Sequence, residues 1–410
     1  MLPVKWPKSV KLSESAVPGS APRRPIRVCF VIDQLSKAGT EMQLLSLIRH
    51  LDRTRVQPYL CLLKGEDAES RSLEPDGCPV LRLGVRSLHN PATVAKALQF
   101  GRFLMQQRID VVQVYFRDST HFGVAVARLA GVRIVLRTRF NLGYGMTRVD
   151  RWLGRLHSFL VDGTITNCEA CRRAVIADEG AMPQSVHVVE NGVELSSFAC
   201  VPPPVFVAGA DRPRHVGLVA NLRPVKEPQV FVQAARLVAW ENPDVEFHLA
   251  GEGELRPDLE RLIAHLHLEK RVILAGQVKD IPRFLAGVDL AVLCSRSEGS
   301  SNALLEYMAA GRAIVATAVG GTSQLIEDGV HGLLVPPGDP ERLADALNRL
   351  LNDPALAARL ASAAQRRVHQ RHDACIRARR YEALYEQLVP PSGRAVVPLN
   401  ETHAPERLAS

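Results

Sequence analysis

The stretch SEGSSNALLEYMAAGRAIVAT, Ser297–Thr317, decides the reading of this 410-residue chain. It sets two carboxylates, Glu298 and Glu306, with seven residues between them. An apolar run, Leu290–Leu293, precedes it, and Ala313–Thr317 is another. The pattern reads as strand, loop, helix, strand. Ser300, Ser301 and Asn302 are N-cap residue types at the loop's end. A helix N-terminus at the carboxyl end of a strand offers unpaired N–H groups and the positive end of a dipole, which suits an anion such as pyrophosphate. Glu298 then lies in the loop beside that anion. Glu306 lies about one turn into the helix, where its carboxylate reaches back to accept hydrogen bonds from a diol. The plainer reading makes Glu298 a loop charge and Glu306 a solvated helix residue. Against that, Glu306 sits between apolar neighbours, where a carboxylate is costly to bury without a partner.

The same alternation runs outward on both sides. IRVCFVI, KAGTE and the helically spaced EMQLLSLIRHL open the chain's first strand–turn–helix unit, and similar units continue to SVHVVENG. The Pro-rich segment 199–214 interrupts the rhythm and reads as a linker. Strand–helix units then restart at HVGLVANL and run to PERLADALNRLLND. The expectation is an α/β protein with two doubly wound, Rossmann-like domains: 26–198, then 215–375, with a closing helix over 376–389 that returns to the first domain. Residues 1–25 and 390–410 read as disordered tails.

Composition narrows the function. A net charge of +8 permits a phosphorylated ligand, an anionic membrane or nucleic acid as partner. The basic residues are interleaved with acidic ones, aromatics are 5%, and no nucleic-acid motif is present, so nucleic acid is set aside. No run of 18 apolar residues exists, and residues 1–25 lack the apolar core of a signal peptide. A cytoplasmic location follows by default. Cys168 and Cys171 form the only close cysteine pair, with no second pair at metal-binding spacing. MTRVDRWLGRLHSFLVDG carries Met146, Val149, Trp152, Leu153, Leu156, Phe159 and Leu160 on one side of a helix, with Arg148, Arg151 and Arg155 elsewhere. Such a stripe is more often core. The alternative places it peripherally on an anionic membrane, near a lipid-linked acceptor.

With these motifs in order, the chain resembles the GT-B glycosyltransferases, in the retaining group 1, glycosyltransferase 4-like set that carries E-x7-E. KAGTE, VVENGVE, VANLRPVKEPQ, LAGEGELRPDLERL and VGGTSQLIEDGVHGLLVPPGDPERLADAL each resemble a segment of that family. The resemblance implies a nucleotide-diphosphate sugar donor held by the second domain. It places Glu306 on the ribose, Glu298 on the donor sugar, Lys226 on the pyrophosphate and Val278 beside the base, with Gly39, Ser300, Ser301, Asn302 and Ala303 lining the donor. Asn221 stands where the family has arginine, and Arg223 is the substitute cation. Gln113 and Tyr115 stand where many members have histidines, and His121 on the next helix packs or faces water. Arg139 and Asn141 are acceptor-side candidates. No D-x-D occurs, which fits the metal-independent plan that the resemblance implies, with no cofactor beyond the donor. The reaction expected is transfer, with retention, to a glycan or lipid-linked acceptor. A non-catalytic GT-B protein binding a nucleotide sugar or glycan is the second reading. A third reading, a nicotinamide dehydrogenase, suits the sheet but not the motifs, because GEGELRP lacks the third glycine and KAGTE has only one.

Overall fold

The computed structural model describes residues 24–64, 67–204 and 213–389. The linker reading at 205–212 and the tail readings at 1–23 and 390–410 lie outside the described residues. Arg24, read as tail, pairs with Asp110 at 2.8 Å.

The first sheet comprises β1 (Ile26–Ile32), β2 (Val56–Leu62), β3 (Val80–Arg82), β4 (Val111–Val114), β5 (Ile134–Thr138), β6 (Gly163–Thr166) and β7 (Val186–Val188). Its order is β3-β2-β1-β4-β5-β6-β7, and every pairing is parallel. Six helices alternate with these strands: α1 (Gly39–His50), α2 (Ala68–Ser72), α3 (Ala92–Gln106), α4 (Arg117–Leu129), α5 (Arg148–Leu160) and α6 (Glu169–Glu179). The second sheet contains β8 (Arg214–Val219), β9 (Val245–Ala250), β10 (Val272–Gly276), β11 (Leu290–Leu293), β12 (Ala313–Thr317) and β13 (Leu333–Val335), in the order β10-β9-β8-β11-β12-β13. Its helices are α7 (Pro228–Glu241), α8 (Arg256–His265), α9 (Ile281–Ala286), α10 (Asn302–Ala309), α11 (Thr322–Leu325), α12 (Pro340–Asn352) and α13 (Pro354–Arg371). Among the described residues no helix is long and apolar enough to cross a membrane.

Both faces of each sheet are covered, which is why the strands read as unbroken apolar runs. In the first domain, Val28, Phe30 and Ile32 pack with α1, and Cys29 and Val31 pack with α3 and α4. In the second, Val216, Phe247 and Val292 face α7, α8 and α12, and Ala291, Leu293 and Ile314 face α10 and α13. The last helix, α14 (Ala374–Leu388), follows the second domain but buries Tyr381 and Tyr385 in the first-domain core beside α1.

In each sheet the strand order reverses once, between β1 and β4 and between β8 and β11. A crevice opens at the carboxyl ends of such strand pairs. The loops leaving β1, β8 and β11 therefore converge, and they hold Gly39, Lys226 and Glu298. Some local expectations fail. TSQLIEDG yields a single helical turn, Thr322–Leu325, and α13 had no counterpart in the sequence reading.

The α5 stripe corrects the core reading. Val149 is 61% exposed, Trp152 63% and Phe159 84%, with Leu156 and Leu160 also exposed. The helix meets the domain through its narrow side, where Gly154 and His157 are buried. A side chain on Gly154 would sit 2.8 Å from the Glu179 carboxyl carbon, so this glycine lets α5 approach closely.

Candidate active site

The loop after β8 forms a tight turn, Pro224–Lys226, and the next residue, Glu227, adopts φ +46°. A left-handed glutamate is uncommon and is held here by its surroundings. Glu227 is buried and accepts from Arg296 Nε at 2.7 Å, which fastens this loop to the one leaving β11. Within that clamp Lys226 Nζ donates to Glu298 Oε1 at 2.5 Å, and Ser295 Oγ donates to the same oxygen at 2.7 Å. Glu298 is only 8% exposed.

Three glycines make this loop possible. A Cβ on Gly320, at φ +49°, would fall 1.8 Å from the Glu298 carbonyl oxygen. One on Gly321 would fall 2.2 Å from the Gly299 oxygen, and one on Gly299 would fall 2.3 Å from the Phe140 oxygen of the first domain. Ser295 and these glycines escaped the sequence reading as site residues. The VGG and SEG pairs were the signal, since close backbone approach calls for residues without a Cβ.

The α10 N-terminus comes next. Ser301 is its N-cap, and its Oγ accepts from the Leu304 N–H at 3.4 Å. Among the described residues Ser300 Oγ is buried without a hydrogen-bond partner, and Ala303 packs on the second-domain core. Asn302 reaches across the crevice. Its Nδ2 donates to the Gly39 carbonyl at 3.0 Å, and its Oδ1 accepts from Gln43 Nε2 at 3.1 Å and Asn191 Nδ2 at 2.9 Å. A Cβ on Gly39 would lie 2.9 Å from Asn302 Nδ2, so an interdomain contact, as well as any ligand, calls for glycine there.

Glu306 lines a cavity of about 800 Å³ between α1 and α9, with Gln43, Asn302, Lys279 and Arg283. Among the described residues its carboxylate has no hydrogen-bond or ion-pair partner. Burial pushes its carboxyl up to about 7. Val278 is half-buried beside Lys279 at the exit of β10. Arg223 is exposed, and its charge acts on Glu41 of the first domain, which puts it at the crevice.

A second cavity, about 470 Å³, lies in the first domain and is lined by Arg139, Asn141, Tyr144, His121 and His157 among others. Arg139 is not free there. It is buried against Glu179, which also pairs with Arg137, and it meets Asp178 at 3.3 Å. Asn141 is exposed, and its Oδ1 accepts from the Gly143 N–H at 3.0 Å. Gln113 and Tyr115 are fully buried and join Tyr385 of α14 in a hydrogen-bonded chain, so core packing takes these two positions. Phe116, at φ +58°, turns the chain out of β4 into this cavity.

His121 does more than pack. Its Nδ1 lies 3.2 Å from His157 Nε2, while His157 Nδ1 donates to the Leu153 carbonyl at 2.7 Å. His157 Nε2 is thus the acceptor and His121 Nδ1 the donor, which leaves the His121 Nε2 lone pair unused. Burial lowers both imidazole pKa values, with Arg117 adding to the effect at His121 and the His121 ring adding to it at His157.

Residues 213–353 match the family model described as "Glycosyl transferases group 1", and residues 38–192 match "Glycosyl transferase 4-like domain". An Escherichia coli UDP-Gal:alpha-D-GlcNAc-diphosphoundecaprenol alpha-1,3-galactosyltransferase is 28% identical over 62% of this chain and 70% of its own. A Frankia alni D-inositol 3-phosphate glycosyltransferase is 31% identical over 62% of this chain and 69% of its own. The crystal structure of Anabaena HepE in complex with UDP has the same fold, with a TM-score of 0.76 at 22% identity over 88% of this chain and 100% of that one. Sequence over both halves and fold over both sheets agree that this chain belongs to the group 1 glycosyl transferases, with the GT-B architecture.

Proposed function

We propose that the protein transfers a sugar, with retention, from a nucleoside-diphosphate sugar to a glycan or lipid-linked acceptor, and that no divalent ion takes part in the chemistry. The observation that carries this reading is the contact of Lys226 with Glu298 in the loop that leads into α10, the helix that carries Glu306. Glu306 has an unpartnered carboxylate on a cavity of nucleotide size, as ribose hydroxyls require. Lys226 offers a cation to a leaving diphosphate, where charge grows as the glycosidic bond breaks. Glu298, anchored by Ser295, is set to accept from the donor sugar's hydroxyls. The UDP-Gal donor in the name of the Escherichia coli relative and the UDP-bound Anabaena protein favour a uridine diphosphate donor.

The acceptor is assigned to the first-domain cavity, and its proton passes to the leaving phosphate on the attacked face. The exposed α5 stripe and its arginines support peripheral docking on an anionic membrane, where a lipid-linked acceptor resides. The non-catalytic reading rests on the Gln113–Tyr115–Tyr385 chain, which occupies the expected histidine positions. Turnover separates the two. The protein is mixed with UDP-, GDP-, ADP- and TDP-sugars, with and without EDTA, and thermal stabilisation and nucleoside diphosphate release are followed. Release from one donor in EDTA supports the enzyme. A folded protein that answers no donor refutes the site.

A further inference from the structure

The second sheet carries a cluster of metal-ligating side chains away from the crevice. His215 lies on β8, four residues before Val219 at the strand's carboxyl end. Glu246 and His248 lie on β9. The parallel register sets His215 opposite Glu246 and Gly217 opposite His248. Side chains two apart on a strand share a face, so all three project from the same side of the sheet. The other side is closed by Val216, Leu218 and Phe247 under α7 and α8.

The distances suit one ion. His248 Nε2 lies 3.4 Å from Glu246 Oε2, and His215 Nε2 lies 3.8 Å from the same oxygen. One ligand atom from each residue falls within 4.8 Å of the other two. Tetrahedral zinc, with bonds of about 2.0–2.1 Å, separates its ligand atoms by roughly 3.4 Å, so closure takes small side-chain rotations.

The tautomers suit it as well. His215 Nδ1 meets the Gly287 carbonyl at 3.0 Å, and only a protonated nitrogen can donate there. Its Nε2 then holds the lone pair, the arrangement in which a carbonyl orients a metal-binding histidine. His248 Nε2 is buried and has the Glu246 carboxylate beside it at 3.4 Å. The three side chains are 20–31% exposed, which gives an ion an entry path and a water for the fourth position. Two imidazoles and one carboxylate favour a borderline transition metal over magnesium or calcium, which take oxygen ligands.

We propose that His215, Glu246 and His248 bind one zinc-class divalent ion, completed by water. The ion ties β8 to β9 and, through His215 and Gly287, holds the end of α9. That helix supplies Ile281, Pro282 and Arg283 to the 800 Å³ cavity, so the site braces one cavity wall.

Chelator-treated full-length protein is titrated with Zn²⁺ by calorimetry, and Co²⁺ is added separately to read its visible absorption. One ion per chain is expected, with a tetrahedral Co²⁺ spectrum free of thiolate charge-transfer bands and a melting temperature that rises with Zn²⁺. His248→Gln or His215→Gln weakens binding about 100-fold or more, given that loss of a mere outer partner costs 10–100-fold. Cys200→Ser with Cys375→Ser, which removes the exposed thiols, leaves binding unchanged. Far-UV circular dichroism confirms that each variant is folded. The proposal fails if the folded wild type takes up no stoichiometric ion, if binding survives both histidine substitutions, or if it disappears with the cysteines. Should a histidine variant not fold, a wild-type Co²⁺ spectrum with thiolate bands still overturns it.

Discussion

Lys226 Nζ and Glu298 Oε1 stand 2.5 Å apart, joining two loops that leave the neighbouring strands β8 and β11. The carboxylate is almost wholly buried and the ammonium about a quarter exposed. Removing the cation leaves Glu298 with Ser295 alone. We expect Lys226→Ala to cost about 1–3 kcal/mol of stability, below the 3–5 kcal/mol of a fully buried pair because water reaches the lysine. Turnover should fall about 10²–10³-fold, as when one charge-stabilising donor is lost. Steady-state kinetics that show only a raised donor KM would remove Lys226 from the leaving-group role.

Glu306 should make donor binding depend on pH. Its carboxyl is pushed up to about 7 by burial, and only the carboxylate accepts both hydroxyls of a diol. Donor affinity should therefore rise between pH 6 and 8, and Glu306→Gln should flatten that rise and weaken binding. The stability term has the opposite slope. The folded state keeps this proton to higher pH than the unfolded chain does, so the stabilisation is complete below the usual carboxylate range and is lost as pH rises through about 7. Melting curves should show Glu306→Gln gaining on the wild type at pH 8 relative to pH 5. A pH-independent difference would place the titration elsewhere.

Gly320→Ala tests the support under Glu298. The added methyl would meet the Glu298 carbonyl oxygen at 1.8 Å, at a φ that side chains rarely adopt. A loss of about 1–3 kcal/mol is expected, together with reduced turnover because the Glu298 loop must shift. Wild-type melting and wild-type kcat together would show that this contact is slack.

Asn302→Ala removes three hydrogen bonds across the crevice, to Gly39, Gln43 and Asn191. The domains should open more readily. Small-angle scattering should record a larger radius of gyration, and the donor KM should rise. An unchanged scattering profile would mean that Asn302 does not set the closure.

The α5 stripe makes a surface prediction. Trp152→Glu with Phe159→Glu should abolish sedimentation with phosphatidylglycerol vesicles and shift stability by only about 0.5 kcal/mol, since both rings are already solvated. Equal sedimentation of variant and wild type would dismiss membrane docking through this helix.

The sequence by itself determined the two α/β halves, the E-x7-E loop–helix and the family resemblance. Those features are local. A parallel strand buried on both faces must be a continuous apolar run, and a helix start must show its cap. Only the tertiary structure decided what each side chain touches. Lys226 finds Glu298 from 72 residues away and Asn302 finds Gly39 from 263, because the strand order β8-β11 and the closure of two domains bring their loops together. Neither fact is written in hydrophobic spacing. The same holds for α5, whose stripe has the periodicity of a core helix. It is exposed because Gly154 brings the opposite edge of the helix onto Glu179. Periodicity says that a face exists, and packing alone says what it faces.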